Sequence, residues 1–228
     1  MEKFVLFGTQ HLIILVSGVV ISFIMLILGM ILGRKFFGRI TALIVLIIKI
    51  VELYYRHIVE GEKITELLPL HLCNIVLIFV ILLMFTQSKI LFQPCYFWCL
   101  GAAFALITPD VSAPLPNFAT LSFFITHFYV LFGVMYACVC FKYRPTLMGY
   151  FGSFIVLNII CLIVYFVNVE LGTNYLFVNR VPSFKSPLSY FGDWPYYIIV
   201  VELIYIVLTY LIYLPLKKKN VKFGTQRF

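Results

Sequence analysis

Seven apolar stretches dominate the chain, near positions 12–32, 40–57, 67–85, 90–108, 121–141, 147–169 and 195–216. Each is long enough for a helix to cross the roughly 30 Å hydrocarbon core of a bilayer. In lipid only helices and closed barrels satisfy every backbone group, and these runs lack the alternation of barrel strands. The expected fold is all-α. It is a polytopic membrane protein, a seven-transmembrane-helix bundle that forms one domain over residues 1–228. Seven spans of about 20 residues take up about 140 positions, which leaves no room for a soluble enzyme. Composition agrees, because 11% of the residues are charged and 63% hydrophobic, against about 25% charged in soluble domains. The first run is about twice the length of a signal-peptide core. It ends in Gly33-Arg34-Lys35 rather than a small-residue cleavage site, so it reads as a span.

The net charge of +8 reads as a topology signal, because the basic residues lie between apolar runs. No basic stripe with interleaved aromatics points to nucleic acid. Alternate loops carry eleven and five Lys or Arg. The larger set is Arg34, Lys35, Arg39, Lys89, Lys142, Arg144, Lys217, Lys218, Lys219, Lys222 and Arg227. The smaller is Lys3, Arg56, Lys63, Arg180 and Lys185, with Lys49 inside a span. The bias puts the N-terminus outside and the C-terminus in the cytoplasm of a multi-pass cell-membrane protein. Two outer loops are longer. Positions 108–119 hold Pro109, Pro114 and Pro116, and 170–193 mix Gly172, Pro182, Pro187 and Gly192 with five aromatics. That composition predicts an ordered cap rather than a Gly/Ser linker. No internal repeat or pair of broken helices suggests an inverted-repeat transporter.

Ionisable residues inside spans are costly and default to functional candidates. From the outer end of each span, the helical rise puts His71 about 6 Å deep, Glu52 about 8 Å, Cys73 about 9 Å and His127 about 10 Å. Glu202 falls about 11 Å deep, Lys49 about 12 Å and Asn158 about 16 Å. Gln10, His11, Asp110, Asn168, Asn174, Asp193 and Trp194 fall at the outer rim. The polar groups of six spans thus share one outer slab, the pattern of a pocket open to the outer leaflet. The plainer reading of Lys49, Glu52 and Arg56, at i, i+3 and i+7, is an ion-pair cluster that holds the bundle together. Glu202 is a further candidate partner for Lys49.

Cys95, Cys99, Cys138, Cys140 and Cys161 read as buried packing residues, since the spacings C-x3-C and C-x-C match no common zinc site. No metal or cofactor is expected. Cys73 differs. In Leu68-Pro69-Leu70-His71-Leu72-Cys73-Asn74, Pro69 suits the first turn of a helix, and Cys73 would lie about one turn inside it. A thiolate is favoured near that positive helix end. His71 and Cys73, at i and i+2, do not face each other, so His127 from another span is the better general base. His71 could orient His127, donate to an oxyanion or bind a head group. A packed cysteine with two hydrogen-bonded histidines is the plain alternative.

Several motifs then combine. They are Phe7-Gly8-Thr9-Gln10-His11, the third-span Leu68-Pro69-Leu70-His71-Leu72-Cys73, Tyr96-Phe97-Trp98, Thr108-Pro109-Asp110, and His127. With them go Gly172-Thr173-Asn174-Tyr175-Leu176-Phe177 and Gly192-Asp193-Trp194-Pro195-Tyr196-Tyr197. As a set they resemble bacterial YwaF-like members of the transmembrane protein 164 family of integral membrane acyltransferases, over nearly the whole chain. The resemblance implies transfer of fatty acyl chains between membrane phospholipids, which serve as donor and acceptor. In eukaryotic members the acceptors are ether phospholipids. It also implies a cysteine nucleophile matching Cys73 and a later-span histidine matching His127. On that reading Asn74, Asp110, Asn158, Asn174, Tyr175, Asp193, Trp194 and Glu202 are the candidate substrate contacts. Two readings compete with it. One is a non-enzymatic lipid or small-molecule binding protein or transporter that uses the same outer pocket. The other is a membrane scaffold or receptor.

Overall fold

The computed structural model describes residues 4–111, 113–182 and 187–216. The basic residues Lys3, Lys185, Lys217, Lys218, Lys219, Lys222 and Arg227 lie outside the described residues. Among the described residues there is no strand. The α-helices are α1 (Thr9–Leu32), α2 (Arg34–Ile58), α3 (Ile64–Leu67), α4 (Leu72–Thr86), α5 (Lys89–Ile107), α6 (Phe118–Val139), α7 (Leu147–Leu171) and α8 (Tyr196–Leu216). Two short 3-10 turns, Tyr175–Phe177 and Pro187–Tyr190, lie between α7 and α8.

Five helices, α1, α5, α6, α7 and α8, are long and apolar enough to cross a membrane. The 25 residues of α2 are long enough, but Lys49, Glu52 and Arg56 lie within it. α4 is apolar, yet its 15 residues rise only about 22 Å. The surface is what a lipid solvent demands. Of α1 only His11, Leu26 and Gly29 are buried, while Val16 and Ile31 are 65% and 72% exposed. Contiguous apolar surface of this extent is not tolerated in a soluble monomer.

Helix starts follow local chemistry. Ser88, Asn117 and Thr146 cap α5, α6 and α7 by accepting from the backbone N–H groups of Leu91, Thr120 and Gly149. Caps of this kind contribute about 1 kcal/mol each. Gly172 closes α7 at φ +68°, a left-handed position that a glycine takes without strain. Two expected boundaries shift. α2 begins at Arg34 rather than near 40, because Arg34, Lys35 and Arg39 can bury their stems and keep their charges in water. Pro69 is not in a first helical turn. It lies outside the helix, which starts at Leu72 with extended His71 as its N-cap.

The core is α4, α5 and α6, packed through Val76, Val80, Met84, Phe92, Trp98 and Tyr136. α4 and α6 run parallel, with their C-terminal ends joined where the Tyr143 hydroxyl donates to the Gln87 carbonyl. They approach closely at Gly133, where an added Cβ would come within 2.3 Å of Val80 Cγ1. Gly29 plays the same part for α1, since a Cβ there would meet the Tyr136 ring at 2.4 Å. The bundle has two distinct ends. The basic end carries Arg34, Lys35, Arg39, Lys89, Lys142 and Arg144. The other is the cap end, where α4 and α6 begin and α7 ends.

Candidate functional site

At the cap end α2 carries a chain of charges. Lys49 pairs with Glu52. Glu52 accepts from Arg56 at 3.3 Å and from the Ser122 hydroxyl of α6 at 3.4 Å. Arg56 continues to Glu62 through bonds of 2.8 and 2.6 Å. The internal ion-pair reading therefore holds for these three residues, and Glu62 and Ser122 join them. Lys49 closes on Glu52 rather than Glu202, which stands within electrostatic reach of Cys161 instead. Glu52 is 5% exposed. A carboxylate so buried is held by charged and hydroxyl partners because desolvation alone would cost several kcal/mol.

This chain borders the sequence-predicted cysteine and histidines. Lys49 lies within electrostatic reach of His71, Cys73 and His127. Cys73 is the second residue of α4 and Asn74 the third, so both sit in its first turn, nearer the cap end than the span boundaries suggested. No side chain caps that turn, which leaves its leading N–H groups and the positive helix end beside the thiol. Asn74 makes no side-chain hydrogen bond among the described residues. His71 packs edge-on against the ring of Tyr175 and tilted against that of Phe177, at centroid distances of 5.0 and 5.5 Å.

His127 is fixed in a definite tautomer. Its Nδ1 lies 2.6 Å from the Phe123 carbonyl oxygen. A carbonyl only accepts, so Nδ1 carries the proton and Nε2 of the neutral ring is the basic nitrogen. The Val80–Gly133 crossing sets its level. Cys73 lies seven residues before Val80, about 10 Å toward the cap end, and His127 six before Gly133, about 9 Å. Cys73 also shares the α4 face of Val80 to within about 20°, whereas His127 is turned about 120° from Gly133 around α6. The two groups thus match in depth. Among the described residues no hydrogen bond joins the Cys73 thiol to His127.

The remaining candidates separate into structural ties and exposed rim groups. Asn158 donates to Phe154 of its own helix at 3.1 Å. Asn174 exchanges hydrogen bonds with the backbone of Arg180, and Trp194 donates to Val178 at 3.0 Å. Tyr175 is 2% exposed, and its hydroxyl is bonded to the backbone of Leu68 and Thr65. Asp110 and Asp193 are exposed. The loop after α7 is an ordered cap over its described residues. Its hub is Asn168, whose amide binds Tyr175 N at 2.7 Å, Tyr175 O at 2.9 Å, Thr173 Oγ1 at 2.9 Å and Asn179 Oδ1 at 2.7 Å. The sequence reading left Asn168 among the rim residues. His11, also read as a rim residue, is fully buried. It accepts from Phe7 N and donates to the Leu106 carbonyl, so both its nitrogens are structural.

Two cavities stand out, and neither gathers the slab of polar residues into one pocket. One, of about 380 Å³, is apolar and lies between α1, α2 and α6, bordered by Ile14, Gly18, Ile48, Phe124 and Tyr129. The other, of about 750 Å³, is at the basic end. All six cysteines are free.

No solved structure matches the chain. A curated relative, an uncharacterized protein of Treponema pallidum (strain Nichols), is 26% identical over 182 residues, which is 78% of this chain and 76% of the relative. The sequence pattern of the TMEM164 family matches residues 6–213. Since that match spans nearly the whole chain and the fold is a helical bundle sheathed in apolar side chains, the protein belongs to the TMEM164 family.

Proposed function

We propose that the protein is a multi-pass cell-membrane acyltransferase. It moves fatty acyl chains between phospholipids through a thioester on Cys73, at a site that opens to the outer leaflet. On this reading α2 and α4 join the five apolar helices as spans. α2 rises about 37 Å, and its Lys49 and Arg56 are paired with Glu52 and with Glu62 of the following loop. α4 reaches the outer face with the help of α3 and residues 68–71. The eleven-to-five bias of basic residues puts the cap end outside.

The observation that carries the reading is the His127 tautomer. Its bound Nδ1–H leaves Nε2 basic, at the depth of a thiol in an uncapped first turn. His127 takes the Cys73 proton, and Sγ attacks the ester carbonyl carbon of a phospholipid. The carbon–oxygen ester bond breaks, and His127 returns the proton to the departing lysolipid oxygen. A hydroxyl of the acceptor lipid, deprotonated by the same nitrogen, attacks the thioester, and the proton goes back to sulfur. Asn74, His71 and the leading N–H groups of α4 are the donors suited to the oxyanion. Thiol and imidazole need not touch before substrate arrives, because such contacts often tighten only in the substrate complex.

Family membership supports this chemistry, and reconstituted protein with a labelled phospholipid donor tests it. Cys73→Ala and Cys73→Ser abolish label transfer, while His127→Ala slows it by about 10²–10⁴. Undiminished transfer by Cys73→Ala contradicts the proposal.

The apolar cavity favours a second reading, a non-enzymatic lipid or small-molecule binder. Its volume of about 380 Å³ is in the range of ligand pockets, and Cys73 does not line it. That reading expects bound lipid, no covalent adduct and full tolerance of Cys73→Ser.

A further inference from the structure

The acyl-transfer reading makes no use of the cavity at the basic end. It is about 750 Å³ in volume, and its lining includes Arg34, Lys35, Thr86, Gln87, Cys140 and Tyr143. Among the described residues no carboxylate lines it. The lack of acid is general at this end. None of the nine Asp and Glu residues falls at positions 3–51, 67–109, 111–169 or 203–228. The cations of the basic end therefore have no acidic side chain in the chain to neutralise them. Among the described residues the three ion pairs all belong to the Lys49–Glu52–Arg56–Glu62 chain at the other end.

The cavity wall adds donors to this charge. The Lys35 side chain has no hydrogen bond or ion pair among the described residues. Among the described residues the Arg34 side chain makes only a long 3.4 Å bond to the Cys140 carbonyl. Gln87 lines the same wall, and its amide nitrogen is buried with no hydrogen-bond partner among the described residues. An unpaired buried donor costs about 1–3 kcal/mol, which a hydrogen bond from a ligand oxygen would relieve. Gly33, Arg34, Lys35 and Phe36, at the start of the 25-residue α2, face the cavity, and that helix start has no side-chain cap and no acidic residue. Two cations, an orphan amide donor and an open helix start around one cavity suit an anion with several oxygens.

We propose that this cavity binds a phosphate-bearing anion, supplied either by an anionic phospholipid head group or by free phosphate. The site is separate from Cys73, so it stands or falls independently of acyl transfer.

The test uses the full chain in neutral detergent with phosphatidylglycerol and phosphatidylcholine as probes, read by native mass spectrometry. Wild type retains phosphatidylglycerol over phosphatidylcholine by about tenfold or more. Arg34→Gln with Lys35→Gln removes that preference, whereas Lys89→Gln with Arg144→Gln, which loses the same charge at the same end but outside the cavity, keeps it. Lys35→Gln alone and Gln87→Leu each weaken retention about threefold to tenfold. They serve if the double variant loses its helical circular dichroism. Inorganic phosphate is then added at millimolar concentration. Displacement of the lipid means that the site takes the phosphate group from either source, and continued retention means that it takes the lipid head group. No preference in wild type, or equal loss in the control pair, overturns the proposal.

Discussion

The Tyr175 hydroxyl bridges to the backbone ahead of α4, accepting from Leu68 N at 3.0 Å and donating to Thr65 O at 2.7 Å. One phenol on the loop after α7 thus holds the segment from which His71 and Cys73 emerge, and its ring packs on His71. Tyr175→Phe strands a donor and an acceptor and destabilises the protein by about 1–3 kcal/mol. Thermal unfolding reads the loss. Hydrogen exchange should localise it to residues 64–71.

The same bridge is sensitive to alkali. Burial pushes the Tyr175 hydroxyl above its ordinary value of 10, partly opposed by the Leu68 N–H that favours the phenolate. The neutral form is therefore the one that folding favours. Its contribution is complete below about 10, the unfolded value, and is lost as pH rises through the higher folded value. Tyr175→Phe should flatten this part of the alkaline stability profile. An unchanged profile would show that the bridge does not contribute to it.

Glu52 is the shared acceptor of Lys49, Arg56 and Ser122. Glu52→Gln leaves Lys49 without a carboxylate while Arg56 keeps only Glu62, and breaking a buried pair in this way costs about 3–5 kcal/mol. The melting temperature should fall far more than for Glu62→Gln, because the Glu62 side chain is 28% exposed and partly exposed pairs contribute little.

Gly133 fixes the level at which α4 and α6 meet. Gly133→Ala drives a Cβ to 2.3 Å from Val80, and overpacking of this kind costs about 1–3 kcal/mol. The double variant with Val80→Ala should recover part of the loss in thermal stability. If it recovers none, the crossing is not where the structure has it.

The apolar runs made the helices legible, since α1, α5, α7 and α8 begin and end within a few residues of the hydropathy boundaries. What they could not show is where polar side chains spend their hydrogen bonds. His11 and Asn168 look like rim residues from their depth, yet His11 ties α1 to α5 and Asn168 organises the loop after α7. Both depend on partners distant in sequence or on loop shape. Pro69 suggested a helix start by local preference, but the Tyr175 bridge holds that stretch outside the helix. The i, i+3, i+7 spacing did reveal the Lys49–Glu52–Arg56 face, while Glu62 joins it only because the loop after α2 turns back. Within the candidate site, the equal depths of Cys73 and His127 were legible from helix rise, and the Nδ1 bond that sets the histidine tautomer was not.

Intact-protein and peptide mass spectrometry after incubation in phospholipid nanodiscs tests the central claim most directly. The account expects one acyl chain, released by neutral hydroxylamine, on the peptide containing Cys73, and none on Cys73→Ala. Label transfer without that adduct, or an adduct on another cysteine, would contradict it.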